Sequence, residues 1–482
     1  EVVELSLDIK RLYALAGLFF VYCLASVYFD LLVLLAAPVV LALLWLTITK
    51  PKLILYFLAF ATPLSVHLVD ERVSTINISL PTEPLIILLF IGVVFKAFSA
   101  QKILVPEVTT VLSLLIIADF SWLVVSAINS SIPLISAKYV LMKSWYIVVF
   151  YFLVSRYFQN KSMIKKYLWC LIVSVIILTL YTLYNHAAGG FSREYAYTAM
   201  RPFLPDHGMY AACISFVVPI LFVFALHGTS LGYGKILRIV CALLFVYMVI
   251  AVALSFTRAS WLSLATALLF YVLFLLNVRL KHILMFGALA VAIIFVNRDS
   301  LLVDLSRNKK ESDDNIENHL QSVSNVTSDP SNLERLNRWS SAIRLWEEKP
   351  LMGWGPGTYT FQYGQFQLPH EMTIISTNAG TLGGVHSEYL RPLAESGIVG
   401  LFLYLAFVLY TFVLGFKHQR VLEGSSKYLS LAAFLGLITY FTHGVLNNYT
   451  EFDKIAVPLY SFLAILTAIE VAYQHDQKDS KE

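Results

Sequence analysis

Apolar residues run through this chain in long, nearly unbroken stretches. They show neither the spaced stripe of a soluble helix nor the alternation of a half-buried strand. A stretch of about 18 or more apolar residues is long enough to cross a bilayer as a helix. Fourteen such stretches can be drawn, at roughly 11–29, 31–48, 52–69, 83–99, 108–128, 139–157, 164–184, 207–227, 235–256, 259–276, 280–296, 397–416, 428–446 and 455–473. They predict an all-α fold, a polytopic transmembrane helical bundle of about 12–14 spans. A membrane barrel would show short alternating segments instead. No internal repeat is visible.

Two polar stretches interrupt the pattern. Residues 297–396 form the one insertion of soluble size. Its first part, "NKKESDDNIENHLQSVSNVTSDPSN", is poor in large apolar residues, a composition that predicts mobility. Its second part, "SNLERLNRWSSAIRLWEEKP", predicts an amphipathic helix over 332–348. Ser331-x-x-Glu334 reads as a capping box, Leu336, Trp339, Ile343 and Trp346 recur at helical spacing, and Pro350 closes the run. The apolar face of such a helix needs a partner, either the outer ends of the spans or the bilayer interface. The Gly/Pro-rich turn "PLMGWGPGTY" follows. Residues 185–206, "NHAAGGFSREYAYTAMRPFLPD", are too polar to span. The expected organisation is therefore 1–296 with about eleven spans, a loop domain at 297–396, three spans within 397–474, and a tail at 475–482.

Charge gives the bundle a direction. Only 14% of the 482 residues are charged, against 58% hydrophobic. One set of connections holds 19 basic residues, from Lys10 and Arg11 to Lys478 and Lys481. The other set, without its long loop, holds seven: Arg72, Lys138, Lys143, Arg193, Arg201, Arg258 and Lys454. Lys and Arg concentrate in cytoplasmic loops. Both termini are thus expected in the cytoplasm, with 185–206 and 297–396 on the far side. The first apolar run follows Lys10 and Arg11 and is soon followed by another, so it reads as a retained helix. The net charge of +4 is spread along the chain, and no nucleic-acid partner is expected. Cys23, Cys170, Cys213 and Cys241 fall in apolar runs and read as small core residues.

On the outer side four basic positions stand out: Arg201, Arg258, Arg335 and His386. An arginine placed against the charge bias needs a reason. Its planar fork holds phosphate oxygens bidentately and stays charged when partly buried. The plain alternatives are a snorkelling Arg258, a loop-ordering Arg201 and a solvated Arg335. On the wheel Arg335 lies beside Trp339, four residues on, whereas Arg338 projects toward the polar side and reads as the better solvated charge. His386 follows Gly383-Gly384, which permit close backbone approach, and precedes "SEYL", which places it near a helix N-terminus. That dipole favours the neutral imidazole a general base needs. A lone histidine is more often structural than catalytic. Glu388 and Glu395 are placed to pair with Arg391 or with substrate, and the alternative is a helix-surface ion network. Asp206-His207 opens a span and reads as a helix cap.

No HExxH, outer DxD cluster, Walker loop or GxSxG occurs, and Asp313-Asp314 falls in the polar stretch. The chemistry expected is free of metal and cofactor: arginines hold a phosphate-bearing leaving group, and a histidine activates a hydroxyl.

The combination of "FTRASWL", "RLNRWSSAIRLWEEKPLMGWGPGTY" and "HSEYLRPLAESGIVGLFLYL" resembles the bacterial O-antigen ligase and polymerase superfamily over roughly residues 200–450. The resemblance implies a GT-C-type glycosyltransferase of the bacterial inner membrane. Such an enzyme takes a glycan from undecaprenyl pyrophosphate on the periplasmic face and transfers it to an acceptor hydroxyl. By motif, Arg258 and Arg335 would contact the pyrophosphate and His386 would be the base, with Arg201 and Arg338 as further donor contacts and Glu388, Arg391, Glu395 and His207 in support. Acceptors in this superfamily are lipid A–core sugar, another lipid-linked glycan, or a protein Ser or Thr. Ligation to lipid A–core in lipopolysaccharide assembly is the favoured expectation. Chain polymerisation and protein O-glycosylation are the enzymatic alternatives, and a polysaccharide flippase or transporter is the non-enzymatic one. A transporter would gather its charges near the bilayer midplane.

Overall fold

A computed structural model describes residues 2–29, 37–69, 77–100, 107–296, 330–373, 376–377 and 383–479. Most of the polar stretch at 308–332, with Asp313-Asp314, lies outside these residues. The chain divides into two compact units, 1–54 and 55–482. The first holds α1 (Val2–Tyr28), α2 (Ala37–Thr49) and the start of α3 (Pro51–Ala61).

The second unit is a helical bundle with one small hairpin. After α3 come β1 (Val66–Val69), β2 (Asn77–Leu80), α4 (Thr82–Ala100) and α5 (Val111–Ile128). Then α6 (Pro133–Tyr146) runs through a π-helical stretch, Ile147–Leu153, into α7 (Val154–Tyr157). Next are α8 (Lys161–Ala188), the short α9 (Arg193–Ala196), α10 (His207–His227), α11 (Lys235–Leu254), α12 (Arg258–Leu275) and α13 (Leu280–Val296). The insertion supplies α14 (Pro330–Glu348) and α15 (Tyr359–Gln362), and the chain ends with α16 (Leu390–Val421), α17 (Gly424–His443) and α18 (Asp453–Asp479).

The fold is all-α and polytopic. Among the described residues eight helices are long and apolar enough to cross a membrane, or nine if one bent pair counts as a single span. That is fewer than the 12–14 expected, for local reasons. Pro63 falls in a 3-10 turn, Thr62–Leu64, so α3 stops and the outer part of the expected span 52–69 becomes strand β1, paired antiparallel to β2. Helices α2 and α3 have 13 and 11 residues, too short to span alone. Helix α17 carries Ser, Thr, Tyr and His along its length and packs inside the bundle against α10, α12 and α18. By contrast α11 and α12 turn apolar residues outward, with Ile236 81% and Leu243 66% exposed, as lipid-facing helices do. Lys138 and Lys143, counted above with an outer connection, lie within α6, where Lys143 pairs with Asp119 at 2.9 Å.

Several helix ends meet at one end of the bundle. Asp206 caps α10 by accepting from the Met209 N–H at 2.8 Å, the role its position predicted. The Thr257 hydroxyl, just before α12, donates to the His207 carbonyl. The Glu388 N–H, just before α16, donates to the Gly444 carbonyl at the end of α17, at 2.7 Å.

Candidate functional site

The predicted amphipathic helix forms, but it starts at Pro330, so Ser331 lies inside its first turn and not at a cap. Proline favours that first helical position. Glu334 makes no capping box. One of its oxygens accepts from Arg338 at 2.7 Å and the other from Thr373 and Ser376. Burial alone would raise the Glu334 carboxyl, but these hydrogen bonds and the Arg338 charge outweigh it and hold it below the usual range. The face of α14 that packs into the protein is turned from the expected stripe: Ala342 and Leu345 pack with Tyr359, Tyr363, Val385 and Ala394, Trp339 lies at the edge of this cluster, and Ile343 is 40% exposed.

Arg338 therefore departs from expectation. It is 5% exposed, ion-paired to Glu334, bonded to the Gly384 carbonyl at 3.1 Å, and stacked over the Tyr363 ring. The wheel placed it toward solvent because α14 was read as a surface helix. In the fold, residues 359–373 and 383–384 cover that face. Arg335 is half-buried, and its Nε donates to the Leu446 carbonyl at 3.3 Å. Arg258, the first residue of α12, reaches the Asn332 side chain of α14 at 3.5 Å. Arg201 is exposed, and no hydrogen bond or ion pair among the described residues joins it to His386. The His207 ring lies 4.3 Å from that of Tyr197.

His386 sits in the turn leading to α16, with a left-handed φ of 54°. Its N–H donates to Asn448 Oδ1 at 2.8 Å, and its carbonyl accepts from Trp339 Nε1 at 3.3 Å. The two glycines before it serve close approach, as expected. A Cβ at Gly383 would collide with Arg338, and one at Gly384 would stand 2.6 Å from the Asn448 side chain. Burial and then the charges of Arg335 and Arg338 push the His386 imidazole from its ordinary 6.5 down to about 3. It is neutral at physiological pH, chiefly through desolvation.

The carboxylates nearby are occupied. Glu388 Oε1 accepts the N–H groups of Tyr449 and Thr450 at 2.8 and 2.9 Å. Arg391 bonds Glu451 at 3.0 Å, Thr450 at 2.7 Å and the Tyr139 hydroxyl, and lies 3.5 Å from Glu388. Glu395 accepts the Tyr359 N–H at 3.1 Å. The expected ion network is met in part: Arg391 joins Glu388 and Glu451 and ties α16 to the 444–451 turn and, through Tyr139, to α6, whereas Glu395 forms no ion pair among the described residues.

Four residues of the site escaped the sequence reading: His443, Asn447, Asn448 and Tyr449. Asn447 bonds His443 at 3.1 Å, His443 bonds Ser260 at 3.1 Å, and the Tyr449 hydroxyl donates to Asp206 at 3.3 Å. Burial raises the Asp206 carboxyl, and burial beside Asp206 raises the Tyr449 phenol. The signal was present in "THGVLNNYTEFD", a polar run between two apolar ones. Among the described residues no group of three His, Cys, Asp or Glu is arranged to hold a metal ion.

A neutral, half-buried histidine with arginines on one flank can take a proton while an anion is stabilised beside it. Fold and site thus define a multi-pass helical membrane protein with a polar, arginine-lined histidine site at one end of its bundle. Residues 243–405 match the family described as O-antigen ligase, so this part of the chain carries that family's domain. The match includes Arg258, Arg335, Arg338, His386 and Glu395 and stops before the His443–Tyr449 group. No curated protein matches the chain. The match covers about a third of the chain and supports a likeness to membrane enzymes of the O-antigen ligase and polymerase type.

Proposed function

We propose that this protein transfers a glycan from undecaprenyl pyrophosphate to an acceptor hydroxyl at the periplasmic face of the bacterial inner membrane, and that the acceptor is lipid A–core. The observation that carries the reading is His386, neutral through burial and set beside Arg335. His386 takes the acceptor's proton as the hydroxyl oxygen attacks the anomeric carbon. The bond to the lipid pyrophosphate breaks with its electron pair on the leaving oxygen, and the sugar inverts. Arg258 and Arg335 hold the leaving group's charge. A charge-assisted hydrogen bond contributes about 1.5–3 kcal/mol, so each arginine contributes tenfold or more. Arg338, held by Glu334 and Gly384, shapes the site and lends it positive potential. In this arrangement both termini are cytoplasmic, in line with the 19-to-seven asymmetry of basic residues.

The test is transfer by purified protein from undecaprenyl-pyrophosphate glycan, with lipid A–core, a second lipid-linked glycan and a Ser/Thr peptide offered in turn. Glycan on lipid A–core is the expected product. Product only on another glycan or on peptide moves the protein to polymerisation or protein glycosylation. Donor crossing liposomes with no product on any acceptor would make it a transporter.

A further inference from the structure

His386 lies between two neighbours with different, fixed destinations. Val385 is buried in the cluster that α14 packs into. Ser387 is buried too, and its hydroxyl accepts the N–H groups of Tyr389 and Leu390 at 3.3 Å where α16 begins. The chain passes from one to the other through His386 at a left-handed φ of 54°. Histidine enters that region more readily than most residues, but at a cost, and stays there only where its surroundings hold it.

The φ and ψ of a residue are the rotations between its own two peptide planes. At His386 each plane is held by a side chain from a different element. Asn448, in the turn after α17, holds the plane before it: Asn448 Oδ1 accepts the His386 N–H at 2.8 Å. The sense of that amide is fixed, because a backbone N–H can only donate. Trp339 of α14 holds the plane after it: Trp339 Nε1–H donates to the His386 carbonyl at 3.3 Å. Both holders are themselves seated. Glu388 Oε1 accepts the N–H groups of Tyr449 and Thr450, and the Glu388 N–H donates to the Gly444 carbonyl. The turn that carries Asn448 is therefore bonded to the chain two residues past His386. Gly384 leaves room for the Asn448 amide, since a Cβ there would stand 2.6 Å from its Oδ1. Trp339 packs at the edge of the α14 cluster.

Resting on the reading of His386 as the base, we infer that Asn448 and Trp339 are positioning residues, which together hold His386 left-handed and so aim its imidazole at the acceptor hydroxyl. Their part is to act through His386. With either hydrogen bond gone, one plane is free to turn, the backbone relaxes to an ordinary negative φ, and the Cα–Cβ bond swings away from its aim.

The experiment uses the full-length protein with ¹³C,¹⁵N-labelled histidine, the His386 signals being found by difference against His386→Gln. Histidine Cα and Cβ shifts report φ and ψ. The parent is expected to show a left-handed His386. Asn448→Ala should lose that signature, and so should Trp339→Phe, which keeps an aromatic ring but has no N–H. Each should lose about 10- to 100-fold in kcat, inside the range typical of general-base catalysis, with donor KM within about twofold. Asn448→Asp keeps an acceptor oxygen in place and should keep the left-handed shifts. Where Asn448→Ala fails to fold, Trp339→Phe and Asn448→Asp still decide. Left-handed shifts kept in Asn448→Ala or Trp339→Phe, their loss in Asn448→Asp, or an unchanged kcat in a variant that has lost them, overturns the inference. Normal transfer by His386→Gln would instead overturn the reading of His386 as the base, and the shifts still judge Asn448 and Trp339.

Discussion

At the scale of the residue, neighbouring arginines on α14 have different expected roles. Arg335 faces the 446–449 turn and His386, while Arg338 is tied into the protein by Glu334 and Gly384. Removing one partner of a buried ion pair costs about 3–5 kcal/mol. Arg338→Ala should therefore lower the melting temperature in detergent markedly, and Arg335→Ala should leave it near the parent's while cutting turnover at least tenfold. Equal melting temperatures with only Arg338→Ala inactive would reverse the assignment. His386 carries a pH prediction with a definite sign. Its folded value, about 3, lies below the ordinary 6.5, so between those values the unfolded chain binds more protons. The stability it contributes is present above about pH 6.5 and lost as pH falls toward 3. Turnover should likewise be flat in this histidine from pH 6.5 upward and fall only on the acid side. A rising limb near pH 6.5 that disappears in His386→Gln would contradict the neutral ring.

At the scale of the element, the bundle is joined by polar contacts that hydropathy does not register. Lys143 of α6 and Asp119 of α5 pair at 2.9 Å beside a cavity of about 50 Å³ that Arg391 and Glu395 also line. Asp119→Ala strands a cation in that cavity and should destabilise more than the double change to Leu at both positions, which removes both charges. Thermal melts of the two variants in one detergent decide this. The break in α16 is equally specific. Gly397 has φ 72°, and a Cβ there would collide with the Leu351 carbonyl. Gly397→Ala combines a left-handed alanine with that clash, and is expected to unseat the 350–354 turn from α16 and lower the yield of folded protein. An unchanged melting temperature would show that the turn moves aside.

At the scale of the whole molecule, orientation is the testable property. Gln365 is exposed in the segment that follows α15, on the same loop as His386, and the four native cysteines lie within apolar helices. With Gln365→Cys, an impermeant thiol reagent should label spheroplasts before their membrane is opened. Labelling only after lysis would put the site on the cytoplasmic face and end the periplasmic reading.

Much of this protein was legible in the chain because its physical cause is local. Long apolar stretches with no room for unpaired backbone force helices, so the all-α polytopic class needed no fold to be seen. The α14 helix, the close approach at Gly383 and Gly384, and the Asp206 cap also follow from short-range rules. Tertiary structure decided what those rules do not reach. Arg338 was read as solvated because a helical wheel shows one helix and not the loops folded over it. The outer end of the third expected span became a hairpin because Pro63 ends the helix and pairing with residues 77–80 rescues the backbone. His443, Asn447 and Tyr449 became part of the site only when α17 and its following turn were brought against α10, α12 and α14. The neutrality of His386 belongs to the same level: burial and two arginines from another element set it, and neither exists until the chain has folded.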